Sequence, residues 1–194
     1  MTNTLVKNLK VALRSLWLPL ALIALGIASR VLMHEWQRLP NVELVTGLSL
    51  LAGYYMRGWR AVIIPLAIMV GSDMIIGNSN IFLFTWSAFL LAVGGGWVLR
   101  RPGLSRHIVW TGLGAGMAFS VFFYLYTNFG VWMITPWYQQ NINGLLYAYY
   151  MGLPFLKLNL IGNVVLVPAC FMVAELVQHG FRITRSQTVR APRS

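Results

Sequence analysis

Long apolar runs separated by short clusters of lysine and arginine dominate this chain. A helix needs about 20 mostly apolar residues to cross a bilayer, with a range of roughly 17–25. Six stretches approach that length: 16–33, 42–56, 61–77, 81–99, 108 to 126 or 134, and 159–178. The second is short and would have to tilt or thin the bilayer around it. Each should be a helix, because lipid offers no partner to an open backbone. Of the 194 residues 58% are hydrophobic and 10% charged, with a mean hydropathy of +0.66. A chain this small could not hide that much apolar surface in one soluble core. The composition excludes a soluble enzyme, a disulfide-framed secreted domain and a disordered chain.

The charges test the span count. Lys7, Lys10 and Arg14 precede the first run, and Arg57 and Arg60 separate the second from the third. Arg100, Arg101 and Arg106 lie between the fourth and fifth; Arg182, Arg185, Arg190 and Arg193 follow the sixth. Alternation puts these twelve on one side, against Arg30, Arg38 and Lys157 on the other. A positive-inside bias of that size predicts an all-α, six-helix transmembrane bundle with both termini cytoplasmic. Residues 1–14 read as an amphipathic lead-in, 15–178 as the transmembrane domain and 179–194 as a basic tail. The start, with Gly26-Ile27-Ala28, has the outline of a secretory signal, but the apolar run continues to Met33, longer than a signal core. The net charge of +11 comes without a basic patch of interleaved aromatics, so the expected partner is the bilayer and not nucleic acid.

The expected outer connection, 135–158, is rich in Leu, Tyr and Phe. It reads as a surface helix or a lid, broken at either end by Pro136 and Pro154. Pro65 and Pro168 predict kinks in the third and sixth spans. Small residues four apart let helices approach closely: Ala24 with Ala28, Gly112 with Gly116, Gly114 with Ala118. Cys170 sits in an apolar run, where a thiol behaves as a small hydrophobe.

Ionisable groups inside spans are costly and mark candidate sites. Arg30 and Asp73 should lie at similar shallow depth below the outer surface. They read either as a salt bridge between spans one and three or as the wall of an outward-facing pocket. Glu43 fits a helix N-terminus, where the dipole favours an acid. His34, Asn41, Asn128 and Asn159 gather at the same level, with Trp86 and Trp132 among the aromatics. Interfacial Trp commonly faces lipid, whereas amides there point inward or cap helices. Aromatic walls with a few convergent polar groups are how small organic molecules are held. These nine residues form the candidate substrate site. HExxH, CxxC, GxSxG and Walker A patterns are absent, no cofactor or metal site is expected, and Asp73 with His34 is the one plausible acid–base pair.

Arg30, Pro40-Asn41, Thr46, Gly53 and Ser72-Asp73, followed by Thr127-Asn128-Phe129-Gly130-Val131-Trp132, Leu153-Pro154-Phe155, Asn159 and Gly162, carry a resemblance. Together they resemble a family of uncharacterised bacterial six-span membrane proteins. That family is distantly similar to the substrate-binding S components of energy-coupling-factor (ECF) vitamin transporters. The chain departs from the pattern at Asn163, where an acid is expected. The resemblance implies an inner-membrane bundle whose outer pocket takes a vitamin or nucleobase-like compound. It implies docking of a transmembrane coupling subunit, with its ATPases, on the small face of Ala24 and Ala28. It also implies that a separate module supplies the energy this chain has no motif to provide. The residues leave two rival readings open: an assembly or scaffold protein, and a membrane enzyme acting on lipid or a corrinoid, which His34 would ligate.

Overall fold

The structure is a computed structural model that describes residues 2–36, 42, 44–78 and 80–190, with the helical backbone alone for 2–16, 36 and 180–190. Seven helices and no strand occur among the described residues: α1 Thr2–Trp36, α2 Val45–Tyr55, α3 Trp59–Ile76, α4 Phe82–Leu99, α5 Pro102–Ser105, α6 Ile108–Ile134 and α7 Ile142–Arg190. Five of them, all but α2 and α5, are long and apolar enough to cross a membrane. Many large apolar side chains on these helices point away from the bundle, among them Leu20 and Leu32 on α1, Met74 on α3 and Val173 and Leu176 on α7. An outer surface of that kind belongs in lipid.

The second run behaves differently from the expectation of a 42–56 span. Its helix, α2, has 11 residues, about 17 Å at 1.5 Å per residue, against a hydrocarbon core of about 30 Å. Val45 through Gly53 are all buried. A helix apolar on every side is buried on every side, and α2 packs against α3, α4 and α7. Glycine makes this possible at the α2–α4 crossing. A Cβ at Gly53 would strike the Val93 carbonyl, and one at Gly96 would strike the Leu50 carbonyl.

Paired contacts give the helix directions. Gly26 faces Ile68 while Arg30 meets Asp73, so α1 and α3 run parallel. Gly112 packs on Phe171 and Gly116 on Val167, so α6 and α7 run antiparallel, and this glycine pair serves internal packing. Gly114, by contrast, faces open space. The core lies around Leu48, Ile68, Phe89, Val93, Val167 and Phe171, each almost fully buried. Phe89 joins Phe119 and Phe123 of α6 in an aromatic cluster with centroids 5.7 and 5.3 Å away.

The expected outer connection is not a separate helix. After a turn that includes Pro136, α7 runs unbroken from Ile142 through Pro154 and Pro168 to Arg190. A proline costs one backbone hydrogen bond and a clash with the preceding turn. Here α6 lies along α7 and supports the helix on both sides of Pro154, as Asn128 against Gly152 and Ser120 against Asn163 show. The basic tail is likewise helical as far as Arg190, and the lead-in belongs to α1.

At the opposite end from Asp73, Arg100 closes α2. Its Nε donates to the Tyr54 carbonyl at 2.9 Å, and Nη2 donates to those of Gly53, at 2.6 Å, and Met56. Terminal helix carbonyls have no partner within their own helix, and a planar guanidinium serves several at once. Arg100→Ala should cost about 2–3 kcal/mol. Arg100→Lys should recover less than half of it, because one ammonium cannot reproduce the fork. Thermal unfolding of the three proteins in one detergent checks this, and equal stability of the Ala and parent forms would exclude the cap.

Candidate functional site

The end expected to face outward holds two concavities, one on either side of the first turn of α4. Thr85 lines both.

The first is a recess of about 330 Å³ between α1, α3 and α4, lined by Arg30, His34, Asp73 and Asn78 among others. Arg30 Nη2 meets Asp73 Oδ1 at 2.8 Å, with the side chains 14% and 8% exposed. Trp86 Nε1 donates to the other carboxylate oxygen at 2.8 Å. Arg30 Nη1 also points at Met69 Sδ, 3.2 Å away. Three helices are thereby tied through one carboxylate, and the buried charge is both paired and hydrogen-bonded. His34 is exposed, and among the described residues no hydrogen bond joins it to Asp73.

The second is a cavity of about 230 Å³ between α4, α6 and α7. On α6 the residues that line it are Ser120, Phe123, Tyr124, Thr127, Asn128 and Val131. Their spacing of three and four places them on one face of the helix. Asn159 and Phe155 of α7 and Ile81 and Thr85 at the start of α4 complete much of the wall. Asn163, 2% exposed, lies next to the cavity wall and donates through Nδ2 to Ser120 Oγ at 2.8 Å and Asn159 Oδ1 at 3.1 Å. Where the resemblance leads one to expect an acid, this carboxamide supplies a donor to two wall residues without bringing a charge. Asn128 lies against Gly152, where a Cβ would come within 2.5 Å of its Oδ1.

The nine candidate substrate residues therefore separate. Arg30, His34 and Asp73 line the recess, and Trp86 bonds to Asp73. Asn128 and Asn159 line the cavity. Trp132 donates to the Gln139 carbonyl at 2.9 Å and accepts at its own carbonyl from Gln140, so it pins the turn before α7. Asn41 and Glu43 lie outside the described residues. Ala24 and Ala28 are exposed, on the side of α1 away from Gly26 and its contact with Ile68. Sequence reasoning did not place Thr85, Ser120 or Thr127 in the site, although Thr127 belongs to a string that carries the resemblance. Ser120, Thr127 and Asn128 are polar positions on one stripe of an otherwise apolar span, and that periodic departure was the available signal. Among the described residues no group of His, Cys, Asp or Glu could hold a metal ion. Cys170 sits against Gly47, away from both concavities.

Fold and surface together define a multi-pass helical membrane protein with two partly enclosed concavities at one end of its bundle. The chain belongs to DUF6580, a family of unknown function, which it matches over residues 10–187. No curated protein matches it, and no solved structure does.

Proposed function

We propose that this protein is a substrate-binding membrane subunit that takes up a small micronutrient, a vitamin or nucleobase-like compound, through its outer end. The observation that carries the reading is the 230 Å³ cavity, with aromatic, hydroxyl and carboxamide groups converging on one space. The resemblance to ECF S components supports the same reading. In it the chain crosses the bacterial inner membrane six times, α2 contributing to the second crossing. Ala24 and Ala28, exposed on α1, would receive a coupling subunit that brings the ATPases. The test is a thermal-shift screen of the purified protein in nanodiscs against vitamins and nucleobases of every charge type. At least one compound should raise the melting temperature by several degrees, since a ligand at about 100 times its Kd adds about 2.7 kcal/mol. No rise with any compound sinks the proposal.

A second reading, an assembly or scaffold protein, draws on the Arg30–Asp73–Trp86 arrangement, in which both carboxylate oxygens are engaged by neighbouring helices. In that reading apolar replacement of the pair leaves the protein's role intact. A membrane enzyme built on His34 and Asp73 has less behind it, since no hydrogen bond among the described residues joins the two.

A further inference from the structure

The cavity between α4, α6 and α7 constrains the chemistry of its guest. None of the described side chains lining it is charged. An ion placed there would lose its water and gain no counter-charge from these side chains, which disfavours both anions and cations.

The hydroxyls of the wall are also oriented. Thr85 Oγ1 donates to the Phe82 carbonyl at 3.0 Å, and Thr127 Oγ1 to that of Phe123 at 2.7 Å. Tyr124 Oη donates to the Tyr149 carbonyl at 2.6 Å, and Ser120 Oγ to that of Gly116 at 3.1 Å. A hydroxyl has one hydrogen, and each of these has committed it to backbone; what remains is lone pairs. Ser120 already receives Asn163. Thr85, Tyr124 and Thr127 keep their oxygens as acceptors. The Asn128 carboxamide gives one N–H to the Tyr124 carbonyl at 2.8 Å and makes no other hydrogen bond among the described residues, so its Oδ1 is a fourth acceptor. Among Thr85, Tyr124, Thr127 and Asn128 the acceptors outnumber the donors, and Phe123 and Phe155 supply apolar faces beside them.

Size narrows the guest further. A cavity of about 150 Å³ holds benzene. The 230 Å³ here suits one substituted ring or a small fused pair.

We infer that the ligand of this cavity is an uncharged ring compound rich in N–H donors, an amino-substituted nitrogen heterocycle. This rests on the binding-subunit reading and narrows its substrate class.

The test is calorimetric titration of the full chain in nanodiscs. Adenine and cytosine are the neutral, donor-bearing probes, and purine lacks the exocyclic amino group of adenine. Nicotinate is the anionic probe and 1-methylnicotinamide the permanently cationic one. Adenine or cytosine should bind, purine should bind about tenfold or more weakly than adenine, and neither ion should bind. Thr127→Val keeps the shape and removes one acceptor, so it should weaken adenine and cytosine about fivefold or more. Thr85→Val, on a different helix, makes the same test if the first variant does not fold. Equal affinity for adenine and purine, or binding unaffected by either variant, overturns the assignment. Preferred binding of nicotinate or 1-methylnicotinamide overturns it too, while the binding-subunit reading stands. Silence from these probes overturns the assignment, and silence in the wider thermal-shift screen takes the subunit reading with it.

Discussion

Gly96→Val should lose about 3 kcal/mol or more, the upper end of what overpacking costs. Its Cβ would strike the Leu50 carbonyl oxygen and come within 2.8 Å of Gly53 Cα and of the Tyr54 nitrogen. These neighbours are all backbone, so no rotamer change relieves the clash and α2 must shift as a whole. That shift would disturb the contacts of α2 with α3 and α7 as well as with α4. Two residues away, a methyl group on Gly94 would meet no heavy atom within 4 Å. Gly94→Ala should therefore be neutral or gain up to about 1 kcal/mol from helix propensity. Unfolding midpoints of the two variants in the same detergent give the comparison. Matching midpoints would mean that α2 and α4 do not cross at these glycines.

The second large effect is expected at the ion pair. Asp73→Ala removes the carboxylate that Arg30 pairs with at 2.8 Å, a loss of up to about 3–5 kcal/mol for a buried pair. The Trp86 indole N–H loses its acceptor at the same time. Asp73→Asn should cost markedly less, because an amide oxygen still accepts one hydrogen bond. Combining Arg30→Met with Asp73→Leu should restore most of the stability lost in Asp73→Ala, since a buried pair is often replaceable by apolar residues of similar volume. Ligand response should survive in the double variant, because the cavity lies on the other side of Thr85. Loss of ligand response with intact folding would place the recess in the binding site after all. A double variant as unstable as Asp73→Ala would show that the pair does more than neutralise itself.

How far the sequence could be read depended on which coordinate a residue type reports. Hydropathy and charge report depth along the membrane normal. Five long helices therefore followed from the apolar runs, and Arg30 and Asp73, expected at one depth, are paired in the structure. Neither quantity reports position around the bundle axis. That is why Asn128 and Asn159, at the same level as Arg30 and Asp73, line a different concavity across α4. Hydropathy also does not distinguish a helix wrapped in lipid from one wrapped in protein, and α2 is the second kind. Pro154 was misjudged for a related reason. Helix-breaking tendency is local, whereas the support α6 gives to α7 comes from residues some 20 to 40 positions earlier in the chain.

The enclosed α2 also sets a timetable for making the protein. One of its main contacts, α7 around Val167 and Cys170, emerges roughly 110 residues after Tyr55, about 5 to 20 seconds later at ordinary synthesis rates. Until then the side of this short helix that α7 covers lacks its native neighbour. Maturation of the fold thus waits on α7, and the cavity, which needs that helix for a wall, comes into being only once it has docked.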